Sequence, residues 1–176
     1  MNRSAGRYAT IGLVGSLLVA CTDGPSEPSS PLWKTSDDFA VSGRVAVARA
    51  VAGFRDAIFA VGTTSSPTEA GLVRELPTGS AFWRERQTYV NRSLVDVVAA
   101  STTHLYVVGR NTAGGWAVAA STDGLGWTDV ANGHSSGGAL RAAVVGGFLV
   151  VLGEGTSPST LYSQRMAIGG TSLEAA

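Results

Sequence analysis

The chain has 176 residues, enough for one domain with a buried core. It is 44% hydrophobic and 15% charged, which excludes an intrinsically disordered chain. Its 23 glycines, set among many Val, Thr and Ser, point to a turn-rich β protein. The 13 basic and 13 acidic residues cancel, so electrostatic capture of nucleic acid is not expected.

In chain order, Arg3 and Arg7 form a positive start, followed by the uncharged run "ATIGLVGSLLVA" at 9–20. That run is shorter than the roughly 20 apolar residues that span a bilayer, and it reads as the core of a secretory signal. It ends in Leu18-Val19-Ala20-Cys21, which resembles a bacterial lipobox, where a small residue precedes a cysteine that is acylated and becomes the mature first residue. The resemblance implies a lipoprotein signal peptide over 1–20, folded as a helix, and a membrane anchor on acylated Cys21. An ordinary secretory signal with an unmodified cysteine is the alternative. Cys21 is the only cysteine, so no internal disulfide is expected. Removal of 1–20 takes away two arginines and leaves 11 basic against 13 acidic residues, so acyl chains rather than charge would hold the protein at a membrane. Residues 21–31, "CTDGPSEPSSP", are a Pro- and Ser-rich tether. Thr22 rather than Asp follows the cysteine, and by resemblance to Gram-negative sorting signals this implies the outer membrane in an organism that has one.

Beyond the tether, residues 32–176 carry an internal repeat, in units of about 40–91, 92–135 and 136–176. "RAVAGFRDAIFAVG", "DVVAASTTHLYVVG" and "RAAVVGGFLVVLG" each read as an apolar strand, a tight turn, and a second apolar strand closed by glycine. The closing glycines Gly62, Gly109 and Gly153 lie 47 and 44 residues apart, and Trp83 and Trp127 lie 44 apart. Four short strands in a mid-forties period is the scale of a β-propeller blade. The second strands "AIFAVG", "LYVVG" and "FLVVLG" are continuous apolar runs, as expected of strands buried on both faces. No segment beyond the signal has convincing helix caps and periodicity. The expected fold is all-β, a partial propeller of about three four-stranded antiparallel blades.

"STDGLGW" at 121–127 resembles the Asp-box, or BNR, repeat: Ser or Thr, then Asp, a glycine turn and an aromatic. The resemblance implies a hairpin between the third and fourth strands of a blade, stapled by Ser121, Asp123, Gly124 and Trp127. Asp123 would accept backbone N–H bonds, Gly124 or Gly126 would supply the positive φ, and Trp127 would pack under the turn. The Asp-to-aromatic spacing is shorter than in the fuller pattern. The first repeat keeps only "PTGSAFW", and the third has no aromatic. The third repeat is also expected to lack an outer strand. Trp33 in "PLWKTSD" either completes that blade or covers the base of the domain. Three blades are too few to surround an axis. A homodimer closing a six-bladed ring, a truncated remnant of a longer lipoprotein, and an open arc with exposed edges are the three expectations.

Counted back from the closing glycine, Arg49 and Asp96 share a first-strand position, and Arg141 matches if its turn is one residue shorter. The three charges are expected to ring one mouth of the channel, as an inter-blade bridge or as a site for an anionic or sugar ligand. The Asp-box resemblance also brings sialidase-like glycosidases to mind as the alternative, for which Glu154, Tyr106 and Tyr162 are the nearest groups, without a motif that assigns them. His104 and His134 are 30 residues apart with no cysteine or paired acids nearby, so no metal site is expected, and no motif calls for a cofactor. No catalytic residue is assigned. Trp116, in the loop "NTAGGW", either stacks on a sugar or packs between blades. The function expected is a lipid-anchored, non-enzymatic envelope protein whose propeller-like scaffold binds a protein or glycan, or else a sialidase-like glycoside hydrolase or a non-functional remnant of one.

Overall fold

Among the described residues twelve strands follow one another as three meanders of the same topology. The computed structural model describes residues 45–175 except 66, 67, 132, 158 and 159. The expected signal helix, Cys21, the expected tether and Trp33 lie outside these residues. The first sheet contains β1 (Ala46–Phe54), β2 (Ala57–Thr64), β3 (Ala70–Pro77) and β4 (Arg84–Val90). The second contains β5 (Arg92–Ala100), β6 (His104–Asn111), β7 (Trp116–Ser121) and β8 (Thr128–Asp129). The third contains β9 (Gly138–Val145), β10 (Phe148–Glu154), β11 (Leu161–Ala167) and β12 (Glu174–Ala175). Within each sheet the order in space is the order in sequence, and every pairing is antiparallel. The described part is therefore all-β: three blades of a partial propeller, not closed into a ring.

The third blade corrects the expectation that it lacks an outer strand. The two residues of β12 pair with Gln164 and Arg165 of β11. Leu173 stands immediately before β12, as Trp83 stands before β4 and Trp127 before β8. It is buried in the core between the second and third blades, so an aliphatic side chain fills the place an indole fills elsewhere.

Blades pack face on face through their inner strands. Each sheet has a leading face toward the next blade and a trailing face toward the previous one. Phe54, Phe59, Val61 and Val73 on the leading face of the first blade meet Leu94, Val97, Leu105 and Val107 on the trailing face of the second. Tyr106, Val108, Trp116 and Val118 on the leading face of the second meet Ala139, Leu149, Val151 and Met166 of the third. β6 thus sends Leu105 and Val107 one way and Tyr106 and Val108 the other, and all four are fully buried. That is why it reads as an unbroken apolar run rather than an alternation.

The closing glycines share one place in the strand pairing. In every blade the first strand carries a bulge, and the glycine pairs with the residue at its edge: Gly62 with Ala48, Gly109 with Leu94, Gly153 with Ala139. In the second and third blades the bulge brings backbone into the space a side chain would take. A Cβ on Gly109 would lie 1.9 Å from the Ser93 carbonyl oxygen, and one on Gly153 would lie 2.4 Å from that of Gly138. Only glycine admits such an approach.

Candidate functional site

The Asp-box turn joins β7 to β8. Ser121 Oγ accepts from Gly124 N–H at 2.8 Å, and Asp123 Oδ1 accepts from Leu125 N–H at 2.8 Å and Gly126 N–H at 2.9 Å. Gly124 has φ +79°, and a Cβ there would strike the Phe59 ring of the first blade at 2.3 Å. Those backbone donors, Gly126 first and then Leu125, hold the Asp123 carboxyl below its ordinary value. Trp127 is half-buried against the core between the first and second blades. From the first blade, Arg55 donates to the Thr122 carbonyl at 2.6 Å, so the β1–β2 turn is tied to this corner. Oδ1 of Asp123 is committed to its own turn.

A second polar fastener lies on the trailing face of the second blade. Arg92 binds Asp129 with both guanidinium nitrogens at 2.6 Å and stacks on Tyr89 of the first blade, 4.9 Å from the ring centroid. The bond from Arg92 lowers the Asp129 carboxyl below its ordinary value, and burial pushes the Tyr89 hydroxyl up. Neither Arg92, Asp129 nor Tyr89 was singled out from the sequence.

The three repeat-positioned charges do not share one place. The turn between β5 and β6 is one residue longer than its two counterparts, so Asp96 aligns by strand pairing with Arg141 and with Ala50. Arg49 is off by one and sits on the bulge itself, level with Val95 and Leu140. Counting from the glycine cannot see which turn carries the extra residue. Asp96 links the blades through backbone: its Oδ2 accepts from Ala142 N–H of the third blade at 3.0 Å, and its Oδ1 from Val97 N–H at 3.0 Å. Arg141 donates to the Leu140 carbonyl of its own strand at 2.9 Å. Among the described residues no ion pair joins Arg49, Asp96 and Arg141.

A polar groove opens at the closing-glycine end of the blades. Two adjoining cavities of about 270 and 380 Å³ share Arg49, Ser93 and Arg110. The first is completed by Thr63, Ser65 and Glu69, the second by Val95, Gly137–Leu140 and Glu154. Arg110 follows the closing glycine of its blade, as Thr63 and Glu154 follow theirs. It projects toward the start of β9, where a Cβ on Gly138 would meet its own Cβ at 2.9 Å, and its Nη2 lies 3.6 Å from Glu69 Oε1. Thr63 and Ser93 share a hydroxyl–hydroxyl bond of 2.8 Å across the first two blades. Arg49 and Arg110 are both exposed. Two guanidiniums with hydroxyls and carboxylates at the rim can hold a carboxylate by bidentate bonds while the acids accept from hydroxyl groups.

The remaining candidates are accounted for by packing. Trp116 is buried between the second and third blades, donates from Nε1 to the Glu154 carbonyl at 2.8 Å, and lies over Gly153. Tyr106 is fully buried, and its hydroxyl accepts from Gly169 N–H at 2.9 Å. Tyr162 packs on His134, ring centroids 4.4 Å apart. Neither tyrosine lines the groove that Glu154 borders. His104 stacks on Tyr106, and among the described residues no group of three His, Cys, Asp or Glu forms a metal-binding cluster. No protein-family model matches the chain, and no curated protein is matched by it.

Proposed function

We propose that the protein is a non-enzymatic, lipid-anchored component of the cell envelope, held through acylated Cys21, whose blades present the Arg49–Arg110 groove to a carboxylate-bearing glycan or protein. The observation that carries this reading is that two exposed arginines from different blades border the same pair of adjoining cavities, with hydroxyls and carboxylates around them. Arginine from two blades favours a ligand with fixed anionic groups, and the flanking Glu69 and Glu154 favour one that also carries hydroxyl donors. The hydrogen bonds that Asp123 Oδ1 accepts within its own turn and the burial of Tyr106 favour binding over hydrolysis.

The test is titration calorimetry with oligogalacturonate and, in parallel, a neutral dextran oligosaccharide of equal length. The acidic sugar is expected to bind with salt-sensitive affinity, and Arg110→Ala and Arg49→Ala to weaken it about tenfold each. Equal binding of both sugars, or binding indifferent to both substitutions, rejects the groove as the site. The anchor is tested separately by mass spectrometry of the protein recovered from membranes, where Cys21 should be the first residue and carry acyl chains. An unmodified Cys21 rejects it.

A further inference from the structure

The arc of three blades has two terminal faces, and the open part of each repeats part of an interface that exists inside the molecule. On the leading face of β10, Leu152 stands where Val61 and Val108 stand in the other blades, immediately before the closing glycine. Both valines are fully buried, whereas Leu152 is 51% exposed. Val145 of β9 corresponds by pairing to Phe54 and Ala100, both buried, yet is 60% exposed. Phe148 and Val150 extend the same face, with Arg165 stacked on Phe148 at 5.2 Å.

The opposite end of the arc shows the complementary half. On the trailing face of β1, Val51 corresponds to Val97 of the second blade, which is buried, but is 65% exposed. Ile58 beside it corresponds to Leu105 and Leu149, both fully buried, and is 45% exposed. Farther out on this face Ala60 and Leu72 are already buried, which leaves β1 and the start of β2 as the open strip. This strip is the part that matters. Inside the molecule the backbones come closest between the first two strands of one blade and the first strand of the next, β1 and β2 against β5, then β5 and β6 against β9, and the second strand of the next blade adds side chains such as Leu105 and Leu149. The exposed side chains at the two ends therefore lie on the strands that make the internal contacts. A lone apolar face has no use for this correspondence, but a leading face seeking a trailing one does.

We propose that the leading face of β9–β10 and the trailing face of β1 are the two halves of one blade-to-blade interface, filled by a second copy of this chain. Two copies then contribute six blades, within the four-to-eight range in which blades close around an axis. Both contacts of the ring are equivalent by the twofold axis. The polar link from Asp96 to the next blade is not repeated there, since Arg141 holds its position. The interface between the first two blades has Ala50 at that position and forms without such a link.

The experiment is sedimentation equilibrium of the full chain in density-matched mild detergent. The wild type is expected at twice the protein mass. Leu152→Asp and Val51→Asp are each expected to weaken the dimer about tenfold or more, because each would bury an unpaired carboxylate in both contacts of the ring. Both positions are exposed in the single chain, so near-ultraviolet circular dichroism should stay that of the wild type. Val90→Asp, on outer strand β4 and exposed, should leave the dimer intact. A monomeric wild type overturns the proposal. So does a dimer broken by Leu152→Asp but not by Val51→Asp, which would mean leading face against leading face, and so does one broken equally by Val90→Asp.

Discussion

Replacing Gly109 by alanine tests the explanation given for the closing glycines. The new Cβ would lie 1.9 Å from the Ser93 carbonyl oxygen and 2.9 Å from the Leu94 Cα. Both atoms are backbone, so no rotamer change relieves the contact, and β5 must retreat from β6 by about 1 Å or more to reach van der Waals distance. Leu94, Val107 and Val108, which flank the contact, are all buried, so the displaced strand would disturb both cores. Overpacking in a tight interior costs about 1–3 kcal/mol, and a backbone clash belongs at the upper end, about 3 kcal/mol. For a domain of this size that lowers the melting temperature by roughly 6–12 °C. The control is Gly53→Ala, on the exposed part of β1, where a Cβ meets nothing within 4 Å. It should change stability by less than about 0.5 kcal/mol or raise it slightly. Urea unfolding followed by tryptophan fluorescence measures both. If Gly109→Ala unfolds within about 0.5 kcal/mol of the wild type, the bulge does not explain the glycine.

Asp123→Ala should cost about 1 kcal/mol at neutral pH, the usual value of a side chain that caps backbone N–H groups. The Asp123 carboxyl is held below its ordinary value in the folded chain, so its contribution is complete above pH 3.8 and disappears as pH falls through the lowered value. Urea midpoints of the two proteins should therefore converge on acidification; a constant gap would mean that charge plays no part in the turn. Trp116→Phe removes the indole donor to the Glu154 carbonyl and should lower stability by about 1–2 kcal/mol without changing the urea m-value. An unchanged midpoint would show that this bond does not hold the second and third blades together.

The fold was legible because its repeat is written in features that survive weak identity. β6 is apolar throughout since both its faces are covered, and the closing glycines recur because each faces a bulge. What could not be read were features without a pattern of their own. β12 has two residues, and Leu173 takes the place of a tryptophan, so nothing in "TSLEAA" announces an outer strand. The extra residue in the turn Ser101–Thr103 is silent in a count back from Gly109, which misaligned Arg49 with Asp96. Arg110 carries no signal in the sequence because its neighbours in the groove come from other blades: Arg49 and Glu69 from the first, Glu154 from the third. Likewise the partnership of Arg92 with Asp129 spans 37 residues with no motif between.

The position of β6 between two cores governs how the molecule breathes. Its amide protons are shielded by a wall on either side, and freeing them requires both neighbours to come away together. The two-residue β12, by contrast, can peel off at the expense of its short pairing with β11 alone. Deuterium uptake should therefore advance from the flanks toward the middle of the arc, with the amides of Leu105 to Val108 the last to exchange.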